Sequence, residues 1–459
     1  MAISYSVKLG VACTRRNIFS REDAIRCKDD TLAKLRQMGV DCVDIDWLNE
    51  DGLMYDVAQV DQVAARFKAE GVDALFTPHC NFGNEESVTR LAAALGVPLL
   101  LWGPRDEAPG PDGRRLRDSQ CGLFATGKDL LRRHVPFTYM ENCRLTDAIF
   151  ERDVRRFLAA ANVVKNFKGL RIGQIDVRPS DFLSVMANEA ELASLFGIHV
   201  EPWSLPELIA AMQAIREGRA GELSALAEGT GSRIPFDCDG DGVLAMLAMK
   251  LAIQEWAATK GLSAVAIQCW DALHEQTGVM PCFANSLLIE ENLPVACETD
   301  ICAAITMVLV QAATAQPVFC ADVTVRHPEN DNAELLWHCG AFPYALKKEG
   351  AEGKVGRHYV LPSGAPGVNE WQLKDGDVSI FRFDGVDGQY SLLSAKGRSV
   401  EGPMNRGTWV WVEFADWPAL ERKIVTGPYI HHVIGTYEDA IPVLEAALPY
   451  LGPIAWDPA

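Results

Sequence analysis

Apolar positions along the first third of the chain alternate between a short-run and a helical pattern. Residues 5–12 form a short apolar run. Residues 23–38 then place Ala24, Leu32, Leu35 and Met38 at helical spacing, with Gly39 as the stop. Residues 40–45 read as a strand. Residues 57–68 read as a helix carrying Val57, Val60, Val63, Ala64 and Phe67, ended by Gly71. A strand over 72–77, a helix over 86–95 stopped by Gly96 and a strand over 97–102 follow. Repeated strand–helix–strand units with glycine stops predict a parallel sheet covered on both faces.

The alternation restarts near Lys168. Residues 170–176 predict a strand, Ser180 a cap for a helix over 181–196, and 198–203 a further strand. Ser204 and Glu207 have the spacing of a capping box for a helix through Ile215. A long helix over 241–260, a buried strand over 264–267 and an apolar helix over 303–313 come next. After about Ala341 glycine, proline and short β-type runs take over, at 358–361, 378–383, 390–394 and 408–414. Asp-Gly turns at 375–376, 384–385 and 387–388 separate them. A helix over 440–451 closes the chain. The predicted fold class is α/β: two Rossmann-like parallel α/β domains, residues 1–167 and 168–340, followed by a C-terminal antiparallel β domain, residues 341–459.

Composition narrows the partners. With 48% hydrophobic and 23% charged residues the chain is an ordinary globular protein. A formal net charge of −19 disfavours nucleic acid, which a protein must meet with positive charge. The 13 cysteines contain no C-x-x-C pair and read as buried free thiols in a reducing compartment. No apolar stretch has the roughly 20 residues of a membrane span. The amino terminus, MAISYSVKLG, shows no basic region followed by a long apolar core, so a cytoplasmic location is expected.

Candidate chemistry lies between Ile267 and His338, and at His431-His432. Glu298 follows Pro294-Val295-Ala296-Cys297, Asp322 ends Pro317-Val318-Phe319-Cys320-Ala321, and His338 ends Glu334-Leu335-Leu336-Trp337. Carboxylates and imidazoles at the ends of apolar runs suit a divalent metal such as Mn²⁺. Glu298 and Asp322 are separated by enough chain for one helix and a return strand, which predicts corresponding strand ends of adjacent elements. Adjacent residues on a strand face opposite sides, so one of His431 and His432 is expected to point into a given site. Gln268 and Trp270 are candidate sugar contacts, an amide for hydroxyls and a ring for an apolar sugar face. Each residue also has a structural reading: a carboxylate on a helix N-terminus, a loop Asp, a core His or a packed Trp.

On Ala296-Cys297-Glu298-x-Asp300, Ala321-Asp322, Trp337-His338-Cys339-Gly340 and His431-His432, the chain resembles the L-fucose isomerase and L-arabinose isomerase superfamily, as a shorter branch. The resemblance implies reversible conversion of an aldose to its ketose through a cis-enediol, with a divalent metal, most commonly Mn²⁺. It implies that Glu298 and Asp322 bind metal and form the acid/base pair, with His338 and His432 as nitrogen ligands and His431 as a substrate contact. It also implies a homo-oligomer in which the loop carrying Arg15 and Arg16 reaches a neighbouring subunit's site. Two arginines there suggest an anionic sugar such as 6-sulfonated glucose, sulfoquinovose, whose isomerisation occurs within this superfamily. A non-catalytic sugar-binding or sensor protein, and a lyase or epimerase using the same enediolate, are the alternatives.

Overall fold

The computed structural model describes residue 3, residues 5–361 and residues 363–459. They divide into two compact units, residues 5–165 and a larger one running from 166 to 459 that also includes Ile3.

The first unit is built on β1 (Leu9–Val11), β2 (Cys42–Val43), β3 (Ala74–Pro78), β4 (Leu99–Trp102) and β5 (Thr138–Tyr139). They form one parallel sheet in the order β2-β1-β3-β4-β5. β3 and β4 are buried along their whole length, which is why they read as unbroken apolar runs rather than as alternation. The helices Arg21–Gln37, Val60–Glu70 and Glu85–Leu95 follow the expected pattern, and the last two end on left-handed glycines, Gly71 and Gly96.

The second unit joins two architectures. β6 (Arg171–Ile175), β7 (His199–Trp203), β8 (Ala264–Ile267) and β9 (Val295–Cys297) form a parallel sheet in the order β7-β6-β8-β9. The remaining strands are β10 (Phe319–His327), β11 (Asn330–His338), β12 (Lys354–Arg357), β13 (Pro366–Gln372), β14 (Asp377–Val386), β15 (Gln389–Val400), β16 (Thr408–Phe414), β17 (His432–Thr436) and β18 (Ile454–Pro458). Six of them close into an antiparallel barrel, β16-β11-β10-β17-β14-β15 and back to β16. Closure removes the edges that an open sheet would expose. The helix Ile301–Thr314 is apolar on all sides because it has no solvent face: it packs on β8 and β9 and equally on β14 and β17.

Several expectations differ from what is seen. β10 and β11 belong to the barrel, so the antiparallel sheet starts well before residue 341. Asp322 is therefore the fourth residue of a barrel strand and not the end of a strand neighbouring β9. The helix expected over 181–196 is confined to Glu189–Phe196, because Asn188, not Ser180, supplies the cap, accepting from the Glu191 N–H. Residues 358–361 are a turn: His358 Nδ1 accepts from the N–H groups of Val360 and Leu361, which ends β12. The last helix stops at Ala447 and tightens into a 3₁₀ turn at Leu448–Tyr450. No helix among the described residues is long and apolar enough to cross a membrane.

Candidate active site

Glu298 and Asp300 emerge from the carboxyl end of β9. Glu298 and Thr299 both hold left-handed backbone, at φ 60° and 57°, and so do Asp176 after β6 (60°) and Asp271 beyond β8 (59°). Positive φ at non-glycine residues costs about 1–3 kcal/mol each and persists where surrounding structure enforces it. Four such residues past the carboxyl ends of β6, β8 and β9 mark this end of the sheet as specialised. Asp300 then caps the helix Ile301–Thr314, its Oδ1 accepting from the Ala303 N–H at 2.8 Å.

The barrel supplies the other side. His432 opens β17 directly opposite Asp322 of β10, and β11 ends at His338. His432 is fully buried. Its Nδ1 lies 2.7 Å from Asp300 Oδ2, and its Nε2 faces Glu298 Oε2 at 3.0 Å and Asp322 Oδ1 at 3.3 Å. His338 is 1% exposed and its Nε2 has no hydrogen-bond partner. Its Nδ1 lies 3.3 Å from Cys339 Sγ. Ligating atoms of Glu298, His338 and His432 lie within 4.8 Å of one another, as do those of Asp322, His431 and His432.

Behind the imidazole sits a buried ion network. Arg382 donates to both Asp300 oxygens, at 2.6 and 3.2 Å, and to Asp384 Oδ2 at 2.9 and 2.6 Å. Burial opposes ionisation of Asp300, but Arg382 and His432 outweigh it and hold the carboxyl below the usual carboxylate range. Burial likewise works against a charged His432, and its three carboxylate neighbours raise it well above the ordinary imidazole value. Asp322 is held low by His338 and His432 against the effect of burial.

This arrangement suits a divalent cation. With His432 Nδ1–H donating to Asp300, its Nε2 faces two carboxylate oxygens, a contact that needs either a proton or a metal cation between the partners. His338 Nδ1 accepts from the Cys339 N–H at 3.0 Å, and its buried Nε2, without a partner among the described residues, is the nitrogen left facing the site. The cluster holds four carboxylates and one guanidinium: Asp300 and Asp384 contact Arg382, while Glu298 and Asp322 face His432, so the cluster carries an excess of acidic groups. Oxygen donors with imidazole fit Mn²⁺ and its neighbours.

The other sequence candidates are placed as follows. His431 packs edge-on against His432, with ring centroids 4.3 Å apart; its side chain is 41% exposed and its Nε2 is 3.9 Å from Asp322. Gln268 and Trp270 follow β8, each with a buried polar atom lacking a partner, Oε1 and Nε1. Gln268 and Thr299 line a cleft of about 650 Å³ at the carboxyl edge of the parallel sheet. In the first unit, Arg15 is buried, bonded to Asp51 at 3.0 and 2.8 Å and to Asn17, and stacked on Tyr55. Arg16 stacks on Phe82 and donates to Gly83 O. Sequence reasoning overlooked Arg382, read Asp384 only as a turn residue, and gave Asp300 a place in the family motif but no role in the site. The available signal was an arginine inside the apolar run Ser379-Ile380-Phe381-Arg382-Phe383, which has to be paired if it is buried.

Here a parallel α/β sheet meets a β barrel over two carboxylates and two imidazoles, and comparison with known proteins points to an aldose–ketose isomerase. Residues 10–168 match the family described as "Fucose/sulfoquinovose isomerase, N-terminal domain". That segment of the chain is similar to this family, and longer stretches of it are similar to curated sugar isomerases. Among its relatives is the sulfoquinovose isomerase of Alkalicoccus urumqiensis, 28% identical over 340 residues, which are 74% of this chain and 75% of that protein. That of Priestia megaterium is 27% identical over 351 residues, 76% and 77% of the two chains. That of Clostridium sp. is 24% identical over 333 residues, 72% and 73%.

Proposed function

We propose that this protein is a divalent-metal-dependent aldose–ketose isomerase that converts a 6-sulfo aldose, sulfoquinovose, to its ketose through a cis-enediol. The observation that supports the reading is that ligating atoms of Glu298, His338 and His432 lie within 4.8 Å of one another, with Asp322 Oδ1 3.3 Å from His432 Nε2. The substrate follows from the relatives, which are named for sulfoquinovose. The metal is Mn²⁺, which the resemblance implies and this mixed oxygen and imidazole set is compatible with; the same four side chains would hold it. When bound, the metal supplies a Lewis acid that stabilises negative charge developing on the sugar oxygens.

The protein's own groups do the rest. Glu298 and Asp322 act as the acid/base pair. One takes the C2 proton, and the other carries a proton between the oxygens on C1 and C2. Asp300 fixes the His432 ring through Nδ1, and Arg382 fixes Asp300. Gln268 offers an unbonded amide oxygen to a sugar hydroxyl, and Trp270 a ring. His431 lies at the margin, as a substrate contact. Arg15 and Arg16 remain in this reading as contributors to a neighbouring subunit's site in a cytoplasmic homo-oligomer.

The test is ketose formation from sulfoquinovose by Glu298→Gln and Asp322→Asn. Both variants are expected to fold and to lose turnover by at least about 10³-fold, since each removes a proton carrier. Turnover near wild type in either one would refute the assignment.

A further inference from the structure

We propose that Arg178 reads the anionic end of the substrate. The inference rests on the 6-sulfo aldose isomerase reading and adds the residue that would make the enzyme selective for charge.

The cleft at the carboxyl edge of β6, β8 and β9 contains one basic side chain among its lining residues, Arg178. Its surroundings differ from those of the other arginines near candidate sites. Arg15 is paired with Asp51, Arg16 lies 3.6 Å from Glu85, and Arg382 is held by Asp300 and Asp384. Arg178 has no carboxylate partner among the described residues. Its Nη1 donates to Pro179 O at 3.1 Å and Ser180 O at 2.9 Å, which orients the guanidinium without neutralising it. It is half-buried, so its charge is less screened than that of an arginine free in solvent.

The local chain ties this charge to the reacting end. Thr299 Oγ1 donates to Val177 O at 3.4 Å, joining the turn that carries Arg178 to the residue after Glu298. Both residues of that contact line the cleft, as does Gln268. Glu298 itself does not line the cleft but immediately precedes Thr299, so a hexose with its far end on Arg178 would direct its C1 and C2 end toward Thr299 and the buried carboxylate behind it. A sulfonate offers oxygens that match the paired N–H donors of a guanidinium, which a lysine cannot imitate. The cleft's other charged lining residues, Glu189 and Asp271, are both acidic and exposed. Without Arg178 the cleft would therefore repel the anion it is proposed to accept.

The test compares sulfoquinovose with quinovose, which lacks only the sulfonate, on full-length Mn²⁺-loaded wild type, Arg178→Gln and Arg178→Lys. A charge-assisted hydrogen-bond pair lost at this site should raise KM for sulfoquinovose roughly 10- to 100-fold, with kcat little changed. The KM for quinovose should stay within about twofold, and Lys should restore only part of the loss. Calorimetric titration of both sugars gives a readout independent of turnover. Equal loss for both sugars in a folded Arg178→Gln protein, or unchanged sulfoquinovose binding, would overturn the role of Arg178. Wild type that turns over neither sugar, yet binds sulfoquinovose through Arg178, would instead refute the isomerase reading and leave the anion site standing.

Discussion

Replacing Asp300 by Asn changes one charge in the most buried part of the site while keeping its volume. The amide oxygen can still cap the helix Ile301–Thr314 through the Ala303 N–H. Two other interactions fail. The oxygen that accepts from His432 Nδ1 at 2.7 Å becomes an NH₂ donor or is lost to the cap, and Arg382 loses its bidentate partner. Breaking a buried ion pair by removing one partner costs about 3–5 kcal/mol. Asp384 still holds Arg382 at 2.6 Å, so the lower end, about 3 kcal/mol, is expected. For a unit of this size that lowers Tm by roughly 5–10 °C. A carboxylate behind a metal-binding imidazole contributes roughly 10- to 100-fold in metal affinity, so Mn²⁺ binding should weaken by that factor. The sign with pH follows from the depressed Asp300 value. Its contribution is present above the unfolded carboxyl pKa of about 3.9 and is lost as pH falls through the lower folded value, so the variant's deficit should shrink in acid. Thermal unfolding by circular dichroism and Mn²⁺ titration calorimetry read the two effects separately. Wild-type Tm together with Mn²⁺ affinity within twofold would refute the role given to Asp300.

Two predictions concern stability away from this network. Burial raises the Glu334 carboxyl to about 7, so stability should fall as pH rises from its ordinary value near 4.5 to about 7; Glu334→Gln should then stabilise by about 2–3 kcal/mol at pH 8 and by little at pH 4.5, measured by urea unfolding. A β-carbon at Gly122 would lie 1.7 Å from Phe82 O, so Gly122→Ala must push the helix Ser119–Arg132 off that loop and should cost at least about 2 kcal/mol; a change under about 0.5 kcal/mol would show that the contact yields freely.

How much of this was legible in the sequence depended on whether the deciding contact was local. β8 has the bounds expected from its apolar run, and Glu298 was found because a buried strand followed by a carboxylate is a short-range pattern. Asp322 was found as a candidate but set in the wrong surroundings. β10 begins with three buried residues, as a parallel strand would, and only its pairing with β11 and β17 places it in the barrel. Both imidazoles lie near Asp322, His432 Nε2 at 3.3 Å and His431 Nε2 at 3.9 Å, whereas alternation along a strand leads one to expect only one of them there. Arg382 could be recognised as unusual in an apolar strand, but its partner Asp300 lies 82 residues away and nothing local points to it. The helix over 181–196 was misjudged because Ser180 and Asn188 are both good caps, and only the fold shows that Asn188 is used.

The central claim is proton abstraction at C2 by a carboxylate pair on a divalent metal. The most direct measurement is ¹H NMR of sulfoquinovose with the Mn²⁺-loaded protein in D₂O, with and without EDTA. Deuterium entering at C2 as ketose appears, and stopping when EDTA is added, is the expected result. Bound Mn²⁺ and bound sugar with no exchange at C2 would contradict it.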